Sequence, residues 1–354
     1  MEKFKKVLKR IFIDGLSGMA LGLFSTLIVG TIIQQIGTFI GGDIGNSLFI
    51  IGKVAASLTG AGIGCGVAYK FKESTLVVVS AATAGMVGAF ASKILAGTLF
   101  TDGVIHYAGP GEPLGAFLAA YIGIELGHLV SGKTGIDILV TPIVTIVSGA
   151  TVGLFMGPPI SNFMIGLGEI INWGTEKEPF FMGIIVSVLM GMFLTLPISS
   201  AALGIILNLS GLAAGAATAG CCSNMVGFAV ASYRENKVGG LVAQGLGTSM
   251  LQMPNIVVKP MIWIPAIISS AILGPISTLV FKMSNNAIGS GMGTAGLVGP
   301  IMSYQTMVAS ESPAIVLTKI LVMYFILPAI LTLVISEFMR KKQWIKFGDM
   351  KLNV

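Results

Sequence analysis

The stretch IFIDGLSGMALGLFSTLIVGTIIQQIGTFI, residues 11–40, is a long apolar run with a single charged side chain, Asp14. Five basic residues stand directly before it: Lys3, Lys5, Lys6, Lys9 and Arg10. A helix that spans a bilayer needs about 20 apolar residues, and this run is too long for the hydrophobic core of a signal peptide. The stretch therefore predicts a retained first transmembrane helix whose basic end stays in the cytoplasm.

The same arrangement of basic residues recurs along the chain. Fifteen of the 21 Lys and Arg occupy five sites between or beyond apolar runs. The other four sites are Lys70 and Lys72; Lys133; Arg234 and Lys237; and Arg340, Lys341, Lys342, Lys346 and Lys351. Short cytoplasmic loops keep positive charge because insertion opposes moving it outward. We therefore expect a multi-pass membrane protein with both termini in the cytoplasm.

The composition excludes a soluble protein. The chain is 54% hydrophobic and 10% charged, whereas a soluble domain carries roughly 25% charged residues. Its net charge of +6 follows from the loop pattern, so it indicates membrane topology and not a nucleic-acid partner. The 48 glycines are typical of membrane helices that pack backbone against backbone.

The apolar runs predict an all-α fold, a polytopic transmembrane helical bundle of about ten membrane segments, broken or re-entrant ones included. We expect one integral-membrane domain over residues 1–354, without a soluble domain. The runs between charged sites are 11–40, 44–69, 76–99, 114–130, 136–160, 180–209 and 212–232, with further apolar runs up to residue 339. An acidic outer loop is expected between 160 and 178.

The second half of the chain breaks the alternation of sides. The runs 180–209 and 212–232 both end at predicted cytoplasmic sites, so one of them cannot be a simple span. We predict broken backbone within 208–227 and within the Gly-rich stretch 285–300, because Gly-interrupted apolar segments mark transport sites.

A few polar residues within or beside apolar runs are candidates for substrate binding. Glu311 precedes the helix-breaking Pro313, and a carboxylate at membrane depth is a functional hypothesis by default. An ordinary loop acid at the membrane surface is the alternative. Asn224, Asn208 and Gln305 offer amides in the broken stretches or beside Glu311. Glu125 and His128 share one helix face and are able to pair. The pair has a role in substrate binding or proton transfer, or else the two side chains only extend to the cytoplasmic membrane interface.

Catalytic sites are not apparent in the sequence. The chain has two His, no H-E-x-x-H metal motif and no G-x-S-x-G nucleophile motif. Cys65, Cys221 and Cys222 lie in apolar runs without metal-ligand spacing. We therefore expect no catalytic residue, no metal and no cofactor.

Two motifs resemble those of a known transporter family. Thr141-Pro142-Ile143, followed by Gly157-Pro158-Pro159-Ile160, resembles the T-P to G-P-I helix of the bacterial phosphotransferase-system enzyme IIC permeases. Glu311 with Pro313 resembles their G-I-T-E-P sugar-site motif. The whole chain, from Phe12-Ile13-Asp14-Gly15-Leu16, is similar to the stand-alone branch labelled perfringolysin-regulator-like membrane proteins.

This resemblance implies a homodimeric permease in the lipid bilayer of a bacterial plasma membrane. The permease moves a carbohydrate-like substrate, while a separate enzyme IIB phosphorylates it. Residues 197–200, Pro-Ile-Ser-Ser, replace the histidine motif of the superfamily, so the resemblance supports transport better than phosphoryl transfer. Two other functions stay open. One is a membrane sensor or regulator with a permease fold, and the other is a secondary transporter of an anionic metabolite that uses Lys53 and Lys93.

Overall fold

The computed structural model describes residues 10–101, 103–107, 109–175 and 177–352, with backbone alone at 161, 164, 165, 168, 172, 174, 202 and 206. The two chain ends, for which we predict a cytoplasmic side, lie partly outside this range. Backbone contacts divide the chain into two compact units, residues up to Phe163 and residues Met164–Asn353. Each unit is described by itself.

The first unit is helical apart from one short hairpin. Its elements in chain order are α1 (Arg10–Ile40), α2 (Gly42–Ser57), α3 (Thr59–Lys70), α4 (Thr75–Ala89), α5 (Ala91–Leu95), β1 (Phe100–Thr101), β2 (Val104–Ile105), α6 (Pro113–Val130) and the first part of α7 (Asp137–Thr175). The two strands pair antiparallel, Phe100 with Ile105. Helices α2 and α3 are bent by 54° and together are long and apolar enough for one span.

The second unit contains the remaining helices. They are α8 (Pro179–Thr195), α9 (Ser200–Ile206), α10 (Gly211–Ala231), α11 (Tyr233–Val242), α12 (Met253–Val258), α13 (Pro260–Val280), α14 (Ala287–Ser290), α15 (Val298–Met307) and α16 (Pro313–Lys341). Single turns of π- or 3₁₀-helix lie at Ala243–Gly247, Ser249–Gln252 and Ala295–Leu297. The predicted all-α membrane fold is confirmed. Within the described residues, six helices are long and apolar enough to span a bilayer, or seven with the bent pair.

Glycine pairs hold α1 against α2 and α3. A Cβ atom built on Gly37, Gly30 or Gly18 would collide with the backbone of Gly45, Gly52 or Gly66, respectively. Along α1 from Gly18 to Gly37, the partner glycines run backward in sequence from Gly66 to Gly45. Helix α1 is therefore antiparallel to α2 and α3 and in close contact with them. Lipid gives no hydrophobic drive for helix association, and this close van der Waals packing supplies the attraction instead.

Three boundaries differ from the sequence-based expectation. The prediction of an acidic loop after residue 160 is wrong, because the helix α7 continues to Thr175 with Pro158 and Pro159 inside it. The run 76–99 ends as a helix at Ala89 and restarts at Ala91. The run 180–209 is interrupted after Thr195, where Pro197 cannot continue the helix.

The break predicted within 208–227 is confined to its first residues. Asn208 (φ 48°) and Gly211 (φ 59°) both adopt left-handed conformations between α9 and α10. From Gly211 onward α10 is one continuous helix, and Thr218 and Ser223 satisfy their hydroxyls by donating to carbonyls of this helix, four residues back. It is buried along most of its length and forms the centre of the second unit.

The break predicted within 285–300 is confirmed. The backbone there passes from the four-residue α14 through turns at Gly293 (φ 50°) and Gly296 (φ 52°) to α15. Asn285 stabilises the broken segment, because its Nδ2 donates to Thr218 Oγ1 at 2.7 Å and to the Gly299 carbonyl at 3.1 Å.

Gly220 provides a test of this packing. A Cβ atom there would overlap the Ser187 carbonyl of α8, so Gly220→Ala should lower stability by about 1–3 kcal/mol, the usual range for overpacking. Gly239→Ala is the matched control, because no atom lies within 4 Å of its Cβ position. The measurement is the melting temperature of both purified variants, and equal temperatures would contradict the close approach of α8 and α10.

Candidate substrate site

Asn224 is a fully buried amide in the second half of α10. Its Oδ1 accepts hydrogen bonds from Thr195 Oγ1 at 3.1 Å and from Trp263 Nε1 at 2.9 Å. Its Nδ2 donates to Ser270 Oγ at 3.3 Å and to the Gly220 carbonyl at 3.2 Å. All four hydrogen-bonding positions of the amide are therefore used.

The hydroxyl of Ser249 extends this network, since it lies 2.8 Å from Thr195 Oγ1. We call Asn224, Thr195, Ser249, Ser270 and Trp263 the Asn224 cluster. Four of the five side chains are fully buried, and Trp263 is half-buried, so the indole forms the boundary of the cluster.

Interrupted backbone brings these side chains together. Thr195 is the last residue of α8, before the break at Pro197. Ser249 begins a 3₁₀ turn that follows a π-helical turn, and Trp263 ends the 3₁₀ turn that opens α13. The cluster therefore lies where three helix interruptions meet a continuous buried helix, which is the setting in which irregular backbone is tolerated at membrane depth.

The neighbouring part of α13 has spare hydrogen-bonding capacity. Ser269 Oγ is buried next to Ser270 and has no hydrogen-bond partner among the described residues, and the same holds for Ser277 Oγ. A buried hydroxyl without a partner is unfavourable by about 1–3 kcal/mol, so a ligand that supplies one would be stabilised there.

Glu311 lies in the turn between α15 and α16, where its carboxylate forms an ion pair with Lys319 at 2.7 Å. Both side chains are partly exposed, at 29% and 21%. Gln305 is exposed on α15. In the same region, Ser303 and Tyr324 form a buried hydroxyl pair at 2.8 Å. The sequence did not predict Lys319 as the partner of Glu311, although it lies two turns into the same apolar run.

Asn208 does not join the Asn224 cluster. It is exposed in the turn before α10, and 13 residues of helix separate Gly211 from Asn224, a rise of about 20 Å. The structure therefore brings Asn224 together with hydroxyls and an indole, and not with the other predicted amides.

The family model described as phosphotransferase system, EIIC, matches residues 13–352, and thus nearly the whole chain. The chain belongs to this family. The resemblance drawn from the T-P and G-P-P-I motifs is confirmed at this level, and the protein is a multi-pass membrane protein of the enzyme IIC type. No curated protein shows a significant match to the chain.

The first unit of this enzyme IIC protein contains a charged cluster that includes two predicted site residues. Glu125 accepts a hydrogen bond from Arg10 Nε at 2.6 Å, and Arg10 also contacts Glu73 at 3.1 Å. His128 Nδ1 lies 2.8 Å from the second oxygen of Glu73. Glu125 and His128 share a helix face as expected, yet their partners here are Arg10 and Glu73.

The two lysines of the anionic-substrate alternative lie on separate helices of the first unit. Lys53 is exposed on α2, and Lys93, on α5, lies over the Phe90 ring at 5.5 Å from its centroid.

Sequence reasoning found Asn224 but missed four members of its cluster. Thr195, Ser249 and Ser270 are single hydroxyls in apolar runs, a common pattern in membrane helices. Trp263 carried a stronger signal, because an indole beside Pro260 and Pro265 at a helix start marks a fixed, half-buried donor.

Proposed function

We propose that this enzyme IIC protein binds and translocates a carbohydrate or a similar polar metabolite, and that its binding site is the Asn224 cluster. The observation that carries the proposal is the hydrogen bonding of Asn224, a buried amide whose side-chain partners are two hydroxyls and one indole N–H. A sugar hydroxyl has the same donor and acceptor capacity as these side chains. It can therefore replace one of them without leaving a buried polar group unpaired.

The half-buried indole of Trp263 supports a ring-shaped polar ligand. Ligand sites combine apolar and aromatic walls with a few fixed polar groups. The Trp263 indole donates its N–H to Asn224 and packs against the apolar cluster around Phe228, and an aromatic ring beside hydroxyls suits the apolar face and polar rim of a sugar ring.

The broken backbone supports translocation in addition to binding. Interruptions at 196–199, 243–252 and 285–297 lie within the second unit, two of them contributing Thr195 and Ser249 to the cluster. Segments of this kind change conformation more readily than continuous helices, and transporter sites are built from them.

From family membership we also propose that transport is coupled to phosphorylation of the substrate. A separate enzyme IIB would phosphorylate the sugar, and the chain would act as a homodimer of the perfringolysin-regulator-like branch. Cytoplasmic termini would place the charged ends on the same side as this partner. In this scheme the chain supplies binding and passage, and it carries no catalytic residue of its own.

Tryptophan fluorescence tests the proposed site directly. The chain has three Trp, at positions 173, 263 and 344, so Trp173→Phe with Trp344→Phe leaves Trp263 as the reporter. We expect one member of a panel of hexoses, hexitols and N-acetylhexosamines to change this emission saturably. The matched control retains Trp173 and replaces Trp263 and Trp344. A saturable change in the control alone, or in neither protein, would contradict the proposal.

Glu311 remains a predicted substrate contact, and Lys319 makes the prediction more specific. Charge-assisted hydrogen bonds contribute about 1.5–3 kcal/mol, so Glu311→Gln should weaken sugar binding by roughly tenfold or more. Lys319→Gln leaves the carboxylate available and should keep the affinity. The measurement is the dissociation constant of both variants, with the exposed Glu178→Gln as control. Equal affinities in all three would show that Glu311 only pairs with Lys319.

The topology gives a further prediction. Both termini should report a cytoplasmic location, since basic clusters flank the first and last spans. Reporter fusions at Met1 and Val354 measure this, with a fusion inserted at the Gly41 turn between α1 and α2 as the outside control. A periplasmic or extracellular signal from either terminus would refute the assigned orientation.

A further inference from the structure

The C-terminal segment, residues 342–352, is folded back onto the second unit. Ile345 and Met350 are buried in an apolar cluster with Phe228, Ile256 and Ile262. Side-chain amides bind its backbone: Asn236 and Gln252 donate to the Met350 carbonyl at 2.8 and 3.0 Å, and Asn255 donates to the Lys351 carbonyl at 3.0 Å. The segment is therefore held in one position, and its outer surface is fixed as well.

The outer surface of this segment is aromatic. Trp344 is 51% exposed and Phe347 is 76% exposed, and Trp344 packs edge to face against Phe338 of α16. Exposed aromatic rings directly after a transmembrane helix are typical of the headgroup region of a bilayer, where one side of the ring is apolar and the other is hydrated.

The same surface is positively charged. Lys341, Lys342, Lys346 and Lys351 are all exposed. The one acid in residues 338–352 is Asp349, and Lys259 pairs with it at 3.3 Å. Arg340 is turned inward to Glu235 and adds nothing to the surface. Four exposed lysines are therefore neighbours in sequence of the two exposed rings, and the one acid of residues 338–352 is paired.

Helix α16 fixes the depth of this surface. This apolar helix of 29 residues ends at Lys341, so the basic and aromatic side chains begin where the span ends. Lysine side chains at such a position extend toward phosphate groups while their methylenes stay on apolar surface.

We propose that the outer surface of residues 338–351 is a binding site for anionic phospholipid headgroups. The lysines attract the phosphodiester and the rings enter the interface beside it. The structure favours a lipid over an acidic protein, because the rings and the lysines follow directly after a transmembrane span, at the depth of the headgroups. The inner side of the segment shares an apolar cluster with Trp263, but none of the exposed lysines or rings belongs to the Asn224 cluster, so the proposal does not depend on the sugar.

Brominated lipids provide a local test, since bromine quenches a tryptophan that it contacts. The full-length protein is reconstituted in phosphatidylcholine vesicles that contain a minor fraction of brominated phosphatidylglycerol or brominated phosphatidylcholine. The Trp344 signal is the difference between wild type and Trp344→Phe. One lysine near an anionic surface enriches such a lipid roughly fivefold, so we expect brominated phosphatidylglycerol to quench Trp344 at least about fivefold more strongly.

Charge variants decide the cause of the preference. The preference is the stronger quenching of Trp344 by brominated phosphatidylglycerol than by brominated phosphatidylcholine, and it should disappear when four lysines are replaced by Gln: Lys341, Lys342, Lys346 and Lys351. The matched control replaces four other exposed lysines and should keep the preference: Lys72, Lys133, Lys237 and Lys282. Added salt should weaken it, and free inorganic phosphate at equal ionic strength should have no further effect. Equal quenching by both lipids in wild type, a preference that survives the first variant, or competition by phosphate beyond that of salt would each overturn the proposal.

Discussion

Asn224→Leu should reduce sugar affinity by at least about a hundredfold, because it removes two or more hydrogen bonds of about 1–1.5 kcal/mol each and leaves buried partners unpaired. Trp263 would lose its acceptor and Ser270 would lose its donor, while Thr195 would keep only the Gly191 carbonyl and the Ser249 hydroxyl. The measurement is the dissociation constant of the purified variant for the sugar that changes Trp263 emission. Asn162→Leu, the same change at an exposed position on α7, is the control and should bind normally.

A milder pair of variants separates binding from folding, since Asn224→Leu also destabilises the second unit. Thr195→Val and Ser270→Ala each remove one hydroxyl and should weaken the affinity by about fivefold to tenfold, with about 1 kcal/mol lost in stability. If both variants keep wild-type affinity while the melting temperature falls, Asn224 stabilises the fold and does not contact the ligand.

Breaking the buried ion pair between Arg340 and Glu235 should give the largest loss of stability in the chain. The pair measures 2.8 Å, and the two side chains are 9% and 0% exposed. Glu235→Ala leaves the guanidinium buried without its carboxylate, and such changes lower the free energy of unfolding by about 3–5 kcal/mol. Glu235 Oε1 also accepts the Gly348 N–H, so the C-terminal segment should loosen at the same time.

A second ion pair between the same two helices is the matched control. Arg234 and Glu337 lie 3.0 Å apart, but they are 62% and 31% exposed, and such pairs contribute about 0–1 kcal/mol. Glu337→Ala should therefore leave the melting temperature nearly unchanged. The double variant Glu235→Leu with Arg340→Met should recover most of the stability, because no charge stays buried. Equal losses in the two single variants would contradict the importance of burial.

Much of the fold was predictable because charge and hydrophobicity act over whole segments. The run 11–40 and the basic sites determined the class of protein, and the glycine content indicated the close helix contacts found at Gly18, Gly30 and Gly37. Helix ends were less predictable, because α7 passes through Pro158 and Pro159 while α8 stops before Pro197. Whether a proline ends a membrane helix depends on neighbours that are distant in sequence.

The candidate site was predictable only in part. Asn224 stood out as a buried amide in a Gly-rich run, whereas Thr195, Ser249 and Ser270 come from three distant segments and meet it only in the folded chain. Likewise, the sequence placed Glu125 and His128 on one helix face where they could pair, but their partners in the folded chain are Arg10 and Glu73, from distant segments. Long-range pairing of this kind is absent from local sequence patterns.

The most direct test of the central claim is a density map of the purified protein equilibrated with the sugar that gives the largest change in Trp263 emission. The account predicts ligand density beside the Trp263 ring, within hydrogen-bond distance of Asn224 or of the hydroxyls of Thr195, Ser249 and Ser270. Density elsewhere, for example at Lys53 and Lys93 or beside Arg10 and Glu73, with the Asn224 cluster unchanged, would contradict it.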